Sequence, residues 1–240
     1  MGNCCENPTI PNANDFPAVV DSEFPKTTGL QQERQKLAHS DLDVQAEEIT
    51  GEVNALVVGD DSKYSGLMNK GKANGQGRLE NPRLAYEGEF VNGRPNGRGT
   101  LVMANGDTFM GEFVNGSLHG KGSFKSQSGF LYEGQFQGNR FHGLGRAVWP
   151  DGSSYEGEFS MGRQHGEGVF IYKDRRVFRG KYVNGKKDGQ GTISFPNKAD
   201  LIKSTWREDA MVGPSFLVMK GQEIKIDLTS ESGIPVAVRN

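Results

Sequence analysis

The sequence has only two cysteines, Cys4 and Cys5, both within its first five residues. That excludes a disulfide framework and makes a reducing, cytosolic setting the expectation. No apolar run approaches the length of a membrane-spanning helix, and no apolar signal segment follows Met1. Hydrophobic residues are scarce, at 34% of 240, while 34 residues are glycine. Such a chain cannot fill a thick two-layer core and suits a thin sheet. It also lacks a strong charge of one sign. Residues 1 to 63 hold 12 acidic and 4 basic residues, a net of −8. The remaining 24 basic and 18 acidic residues give +6. That excess is too mild for nucleic acid, which calls for a strongly basic stripe. Catalytic constellations are missing too. There is no thiol beyond the terminus, no His/Glu cluster at metal-ligand spacing, no phosphate loop with its lysine and no nucleophile elbow. Neither an enzymatic activity nor a cofactor or metal is expected.

What is present is a repeat. Tyr86-Glu-Gly-Glu-Phe90 recurs as Phe109-Met-Gly-Glu-Phe113, Tyr132-Glu-Gly-Gln-Phe136, Tyr155-Glu-Gly-Glu-Phe159 and Phe178-Arg-Gly-Lys-Tyr182, each start 23 residues after the last. Tyr64-Ser-Gly-Leu-Met68 is an earlier copy, 22 residues upstream of Tyr86. A fixed period of this size signals a repeat architecture. A turn column reads Gly93, Gly116, Asn139, Gly162, Gly185. Asn is the side chain that best replaces Gly in a left-handed backbone, so this column predicts a required conformation.

Each unit reads as a hairpin. Tyr86, Gly88 and Phe90 alternate with Glu87 and Glu89, the period of a half-buried strand. Asn92-Gly93 starts a turn, and Gly97 to Met103 forms a second strand entered through glycines. A lone hairpin is marginal in water, so the array is the folding unit. Glycines alternate with aromatics on one face, so a ring can lie over the bare backbone of a neighbour. The Gly-x-Gly phrases, such as Gly97-Arg-Gly99, fall within strands and cannot cradle a phosphate.

The pattern Tyr-x-Gly-x-Phe-x-x-Gly-x-x-x-Gly-x-Gly resembles the MORN (membrane occupation and recognition nexus) repeat. Six copies cover 64 to about 198, with a worn seventh from Ile202 through Trp206 to Gly213. The resemblance implies an all-β fold, an elongated single-layer antiparallel sheet of stacked MORN hairpins. MORN arrays occur in membrane and cortical scaffolds, in ciliary proteins, and beside catalytic domains of lipid kinases and methyltransferases. The implied organisation is a flexible acylated tether (1–29), a short helical segment (30–52), the array (53–198), a C-terminal cap (199–228) and a tail (229–240). Phe216 to Met219 and Ile224 to Leu228 read as a capping hairpin turning at Gly221-Gln222, and Ile234 to Val238 as a strand or a loose tail.

Gly2, Cys4 and Cys5 form a lipid-attachment motif. A glycine amine freed of its initiator Met accepts myristate, and nearby thiols accept palmitate. Glu6 departs from the Ser or Thr the motif prefers. One myristoyl chain binds membranes only marginally, with an association constant on the order of 10⁴ M⁻¹. The segment is acidic, so the cysteines would have to supply the second signal.

Three further columns stand out. His119, His142 and His165 recur at one position before a glycine, about 10 Å apart, the rise of two strands, too far to share one metal ion. Arg94, Arg140, Arg163 and Lys186, near Arg98, Lys121 and Lys187, could meet anionic lipid. Tyr86, Phe90, Phe109, Phe113, Tyr132, Phe136, Tyr155, Phe159, Phe178 and Tyr182 all point to one face. Left uncovered, that face is an aromatic groove larger than a monomer normally exposes. The tyrosine hydroxyls are expected to sit at its wetter, partner-facing side.

The expectation is a non-enzymatic scaffold on the cytosolic face of a membrane, at the plasma membrane or cortex. Acyl chains would hold it there, and protein partners, a second copy among the candidates, would bind along the aromatic groove. The alternatives are a structural component of a ciliary or cortical cytoskeletal assembly, and a non-catalytic regulatory subunit of a lipid-modifying enzyme.

Overall fold

The structure, a computed structural model, describes residues 49–58, 61–196, 200–227 and 236–237. Every regular element among them is a β-strand, and all pairings between strands are antiparallel. The acylation motif, residues 30–48 of the expected helical segment and most of the tail lie outside the described residues. Gly51 and Glu52, placed at the end of that helical segment by sequence, instead begin a strand. The described residues group into two compact units, 49–127 with 135–140, and 128–134 with 141–237.

The N-terminal unit contains β1 (Gly51–Val57), β2 (Lys63–Asn69), β3 (Lys72–Glu80), β4 (Leu84–Val91), β5 (Arg94–Met103), β6 (Thr108–Val114) and β7 (Ser117–Lys125). Each pairs with the next in sequence. The strict in–out alternation of β4 is the sequence period made visible, with Tyr86, Gly88 and Phe90 buried and Glu87 exposed.

β8 (Leu131–Gln137) is divided, its first four residues belonging to the C-terminal unit. That unit continues through β9 (Arg140–Val148), β10 (Ser154–Ser160), β11 (Arg163–Ile171), β12 (Val177–Val183) and β13 (Lys186–Ser194). Then come β14 (Leu201–Arg207), β15 (Ala210–Met219), β16 (Gln222–Asp227) and β17 (Val236–Ala237). From β9 on, successive strands pair. The worn seventh repeat is a true hairpin, with Ile202 and Trp206 buried in the places of Phe178 and Tyr182. The capping hairpin turns one residue earlier than expected. Lys220 and Gly221 have φ of 47° and 80°, and Gln222 already pairs with Met219.

Two-residue turns with positive φ at both positions match the twist of paired strands, and this chain uses them repeatedly. The turn column has φ between 65° (Asn139) and 87° (Gly185). Each of these residues also donates its N–H to a carbonyl in the preceding hairpin. Gly116 donates to Pro95, Asn139 to Leu118, Gly162 to Phe141 and Gly185 to Gln164. The turn geometry therefore sets how one hairpin meets the next.

The core of each unit is its aromatic face. In the N-terminal unit Phe90 lies between Tyr64 and Tyr86, with centroids 5.3 and 5.1 Å away and rings nearly perpendicular. In the C-terminal unit the same edge-to-face packing links Tyr132, Phe159, Tyr155, Tyr182, Phe178 and Trp206. Such contacts add about 0.5–1.5 kcal/mol each beyond the area they bury.

Under these rings runs a row of paired glycines. Gly66, Gly77, Gly88, Gly99, Gly111 and Gly122 face one another strand by strand. A Cβ on Gly99 would lie 2.2 Å from Tyr86 Oη, and one on Gly168 would lie 2.4 Å from Tyr155 Oη. These glycines make room for a ring.

Candidate functional site

The ten aromatic side chains expected to line a groove are all buried, none more than 4% exposed. The expected aromatic groove is therefore filled. Alternation places the rings on one face, and rings from adjacent hairpins then cover one another. The tyrosines are as deep as the phenylalanines. The hydroxyls of Tyr64, Tyr86 and Tyr155 find a carbonyl three residues on inside the sheet, whereas the buried Tyr182 hydroxyl has no hydrogen-bond partner among the described residues. Tyr64 Oη donates to the Leu67 carbonyl (2.9 Å), Tyr86 to Glu89 (3.2 Å) and Tyr155 to Glu158 (3.0 Å). Burial, reinforced by Glu89 and by Glu158 respectively, pushes the Tyr86 and Tyr155 hydroxyls far above the ordinary phenol range.

An accessible concavity lies on the opposite face. In the N-terminal unit a groove of about 910 Å³ is lined by alternate, outward side chains of β3 to β7. Arg78, Glu87, Arg98, Met110, Glu112 and Lys121 define its walls, and Gly88, Gly99 and Gly111 are at its floor. Arg78 is committed, bonded to Glu80 and Glu87 at 3.1 and 3.3 Å. Arg98 and Lys121 form no ion pair among the described residues. Val102 and Met110, 39% and 51% exposed, supply apolar surface beside them.

A second feature escaped sequence reasoning. The glycines at 97, 120 and 166 have positive φ, and the register shifts at the hairpins that contain them. These are bulges, and a glutamate covers each. Glu89 accepts the Arg98 N–H at 3.1 Å and Glu158 accepts the Glu167 N–H at 3.3 Å. A Cβ on Gly97 would fall 2.7 Å from the Glu89 carboxyl, and one on Gly166 would fall 2.5 Å from that of Glu158. The signal was available in the recurrence of Glu at the fourth position of the phrase.

Lys187 corrects the basic column. Sequence groups it with loop cations, but its side chain is fully buried. It occupies the inward position held by Pro95, Leu118, Phe141 and Gln164 in other hairpins. Its Nζ sits over the rings of Trp206, Phe178 and Tyr172 at 5.0, 5.5 and 5.6 Å, with Asp209 Oδ1 3.9 Å away. Aligning residues two places after the turn would have identified this core column.

The remaining cations do lie by the turns. Arg94, Arg163 and Lys186 are exposed, Arg140 is half-buried, and each begins its strand. Lys186 reaches Glu208 at 3.4 Å, and across the turn it pairs with exposed Val183, as Arg94 pairs with exposed Val91. His119, His142 and His165 are half-buried, His119 and His165 at the bulges, with His119 Nδ1 3.2 Å from the Ser117 carbonyl. Among the described residues no three His, Cys, Asp or Glu side chains are grouped to hold a metal. No helix among them is long and apolar enough to cross a membrane.

A family model described as MORN repeat matches residues 64–82, 86–108, 109–129, 132–154, 155–175 and 178–199. No curated protein matches the chain.

Proposed function

Given that the chain belongs to the MORN-repeat family, we propose that it is a non-enzymatic scaffold which seats a protein partner in the groove of its N-terminal unit. The observation that carries this reading is the groove's position. The aromatic face is spent on the core, while the groove offers Arg98 and Lys121, in no ion pair among the described residues, beside exposed Val102 and Met110. A mix of apolar anchors and unpaired charge is what a peptide segment of complementary chemistry needs for affinity and register. Capture from lysate with wild type and with Arg98→Glu plus Lys121→Glu tests it. A partner retained equally by both would place binding elsewhere.

Acylation at Gly2, with Cys4 and Cys5 as the second signal, is the proposed tether to the cytosolic face of a membrane. The two-signal requirement over an acidic segment supports it. Arg94, Arg140, Arg163 and Lys186 are the proposed contacts to anionic headgroups, at about 1 kcal/mol per charge near the surface. The exposed valines across the turns from Arg94 and Lys186 favour the same reading. Gly2→Ala should move the protein to the soluble fraction, and Cys4→Ser with Cys5→Ser should leave it weakly bound. If both variants pellet like the wild type, another device holds it.

A further inference from the structure

We infer that residues 15–24 of the chain itself occupy the groove of the N-terminal unit and compete there with the protein partner. This rests on reading that groove as a partner seat. Asp15-Phe-Pro-Ala-Val-Val-Asp-Ser-Glu-Phe24 carries three carboxylates, no cation and four large apolar side chains, Phe16, Val19, Val20 and Phe24. The groove carries Arg78, Arg98 and Lys121 against Glu87 and Glu112, a small positive excess, with Arg98 and Lys121 in no ion pair among the described residues and Val102 and Met110 exposed next to them. The same complementarity runs through the whole chain, −8 over residues 1 to 63 and +6 over the rest.

Reach decides which acidic stretch is suitable. Neighbouring strands lie about 4.8 Å apart, so the middle of the groove at β5 is about 19 Å across the sheet from β1. The acidic residues at 41–48 adjoin β1 too closely to cross that distance and still lie along the groove. Phe24 is 25 residues before Ile49, a span of up to about 80 Å when extended. Segment and groove share one chain, so the effective concentration is on the order of millimolar. A fit with a dissociation constant of about 0.1 mM or tighter would then occupy the groove most of the time, and a partner would bind only by displacing it.

The test is a titration of a labelled, end-capped peptide of residues 13–26 into full-length protein. Three forms are compared: wild type, Asp15→Asn/Asp21→Asn/Glu23→Gln, and that neutralised form with Arg98→Glu and Lys121→Glu added. Circular dichroism and melting confirm folding. The neutralised form should bind peptide at least about tenfold more tightly than wild type, because its own segment no longer competes. Reversing the groove charges should remove at least about tenfold of that gain. Equal binding to wild type and neutralised form overturns the inference, as does binding that survives charge reversal or fails in the neutralised form. A concentration-dependent dimer in sedimentation, abolished by neutralisation, would put the segment in a second copy and also overturn it. The partner capture above does not depend on the segment, so it can succeed where this titration fails.

Discussion

The glycine row of the N-terminal unit and its counterpart in the C-terminal unit differ at one end. In the first, Gly66 through Gly122 face each other from β2 to β7, and Val53 of β1 stands opposite Gly66. In the second, Gly145, Gly157, Gly168, Gly180 and Gly191 continue the pattern until Ser204 replaces the next glycine. Ser204 is buried and its hydroxyl lies 2.7 Å from that of Ser215. The change coincides with Ile202 replacing the ring two residues earlier. A ring as long as Tyr86 needs bare backbone beside it, whereas an isoleucine leaves room for a hydroxymethyl group. The glycine row is thus the volume complement of the aromatic row.

Ring deletions make the largest test of this view. Tyr132 in the C-terminal unit and Phe136 in the N-terminal unit are both buried. Tyr132→Ala and Phe136→Ala should each cost about 3–5 kcal/mol, read by denaturant melts. A much smaller loss for Tyr132→Ala would restore the view that the tyrosine face is held open for a partner.

Adding volume to the row comes next. Gly99→Ser in wild type should cost about 1–3 kcal/mol through overpacking against Tyr86. In a Tyr86→Ile background, copying the Ile202–Ser204 pair, the same change should cost at least about 1 kcal/mol less. Additivity of the two substitutions would break the volume argument.

The turns give a smaller contrast. Gly162→Val, at φ of 82°, should lose about 1–3 kcal/mol to backbone strain. Asn139→Gly relieves its own φ of 65° but deletes the 2.6 Å bond in which its Oδ1 accepts the Leu118 N–H. It should lose only about 1 kcal/mol. Equal melting temperatures for Gly162→Val and wild type would remove the conformational requirement at that column.

The smallest effect should come from the core column, where Leu118 in the N-terminal unit contrasts with Lys187 in the C-terminal one. Lys187→Met keeps the length and removes a desolvated charge whose carboxylate partner is a third exposed. The stability change should stay within about 1 kcal/mol of zero or be favourable. A loss of several kcal/mol would mean that the cation–π cage and Asp209 together outweigh the desolvation of the ammonium.

Much of the fold was legible because it is local. The period, the inward rings, the left-handed turns and the worn seventh repeat all follow from residues within one hairpin of each other. The site was less legible. Alternation says that Glu87 and Tyr86 face opposite ways, but not which face remains open to a partner. Lys187 looked like a loop cation because lysine seldom occupies a core column, and the rings of Tyr172, Phe178 and Trp206 together with Asp209 make that position tolerable. Glu89 looked like a solvated strand residue until the bulge at Gly97 turned the Arg98 N–H toward it.

By itself, then, the sequence determined the repeat, its β-hairpin unit, the turn conformation and the pairing of ring with glycine. These depend on backbone sterics and on a spacing of two within a strand. The tertiary structure decided that the aromatic face of each unit is closed and that the charged face of the N-terminal unit holds a groove. Coverage of a side chain is set by its neighbours in adjacent hairpins and by the bend each strand makes at its glycine, and neither is a property of the phrase that recurs.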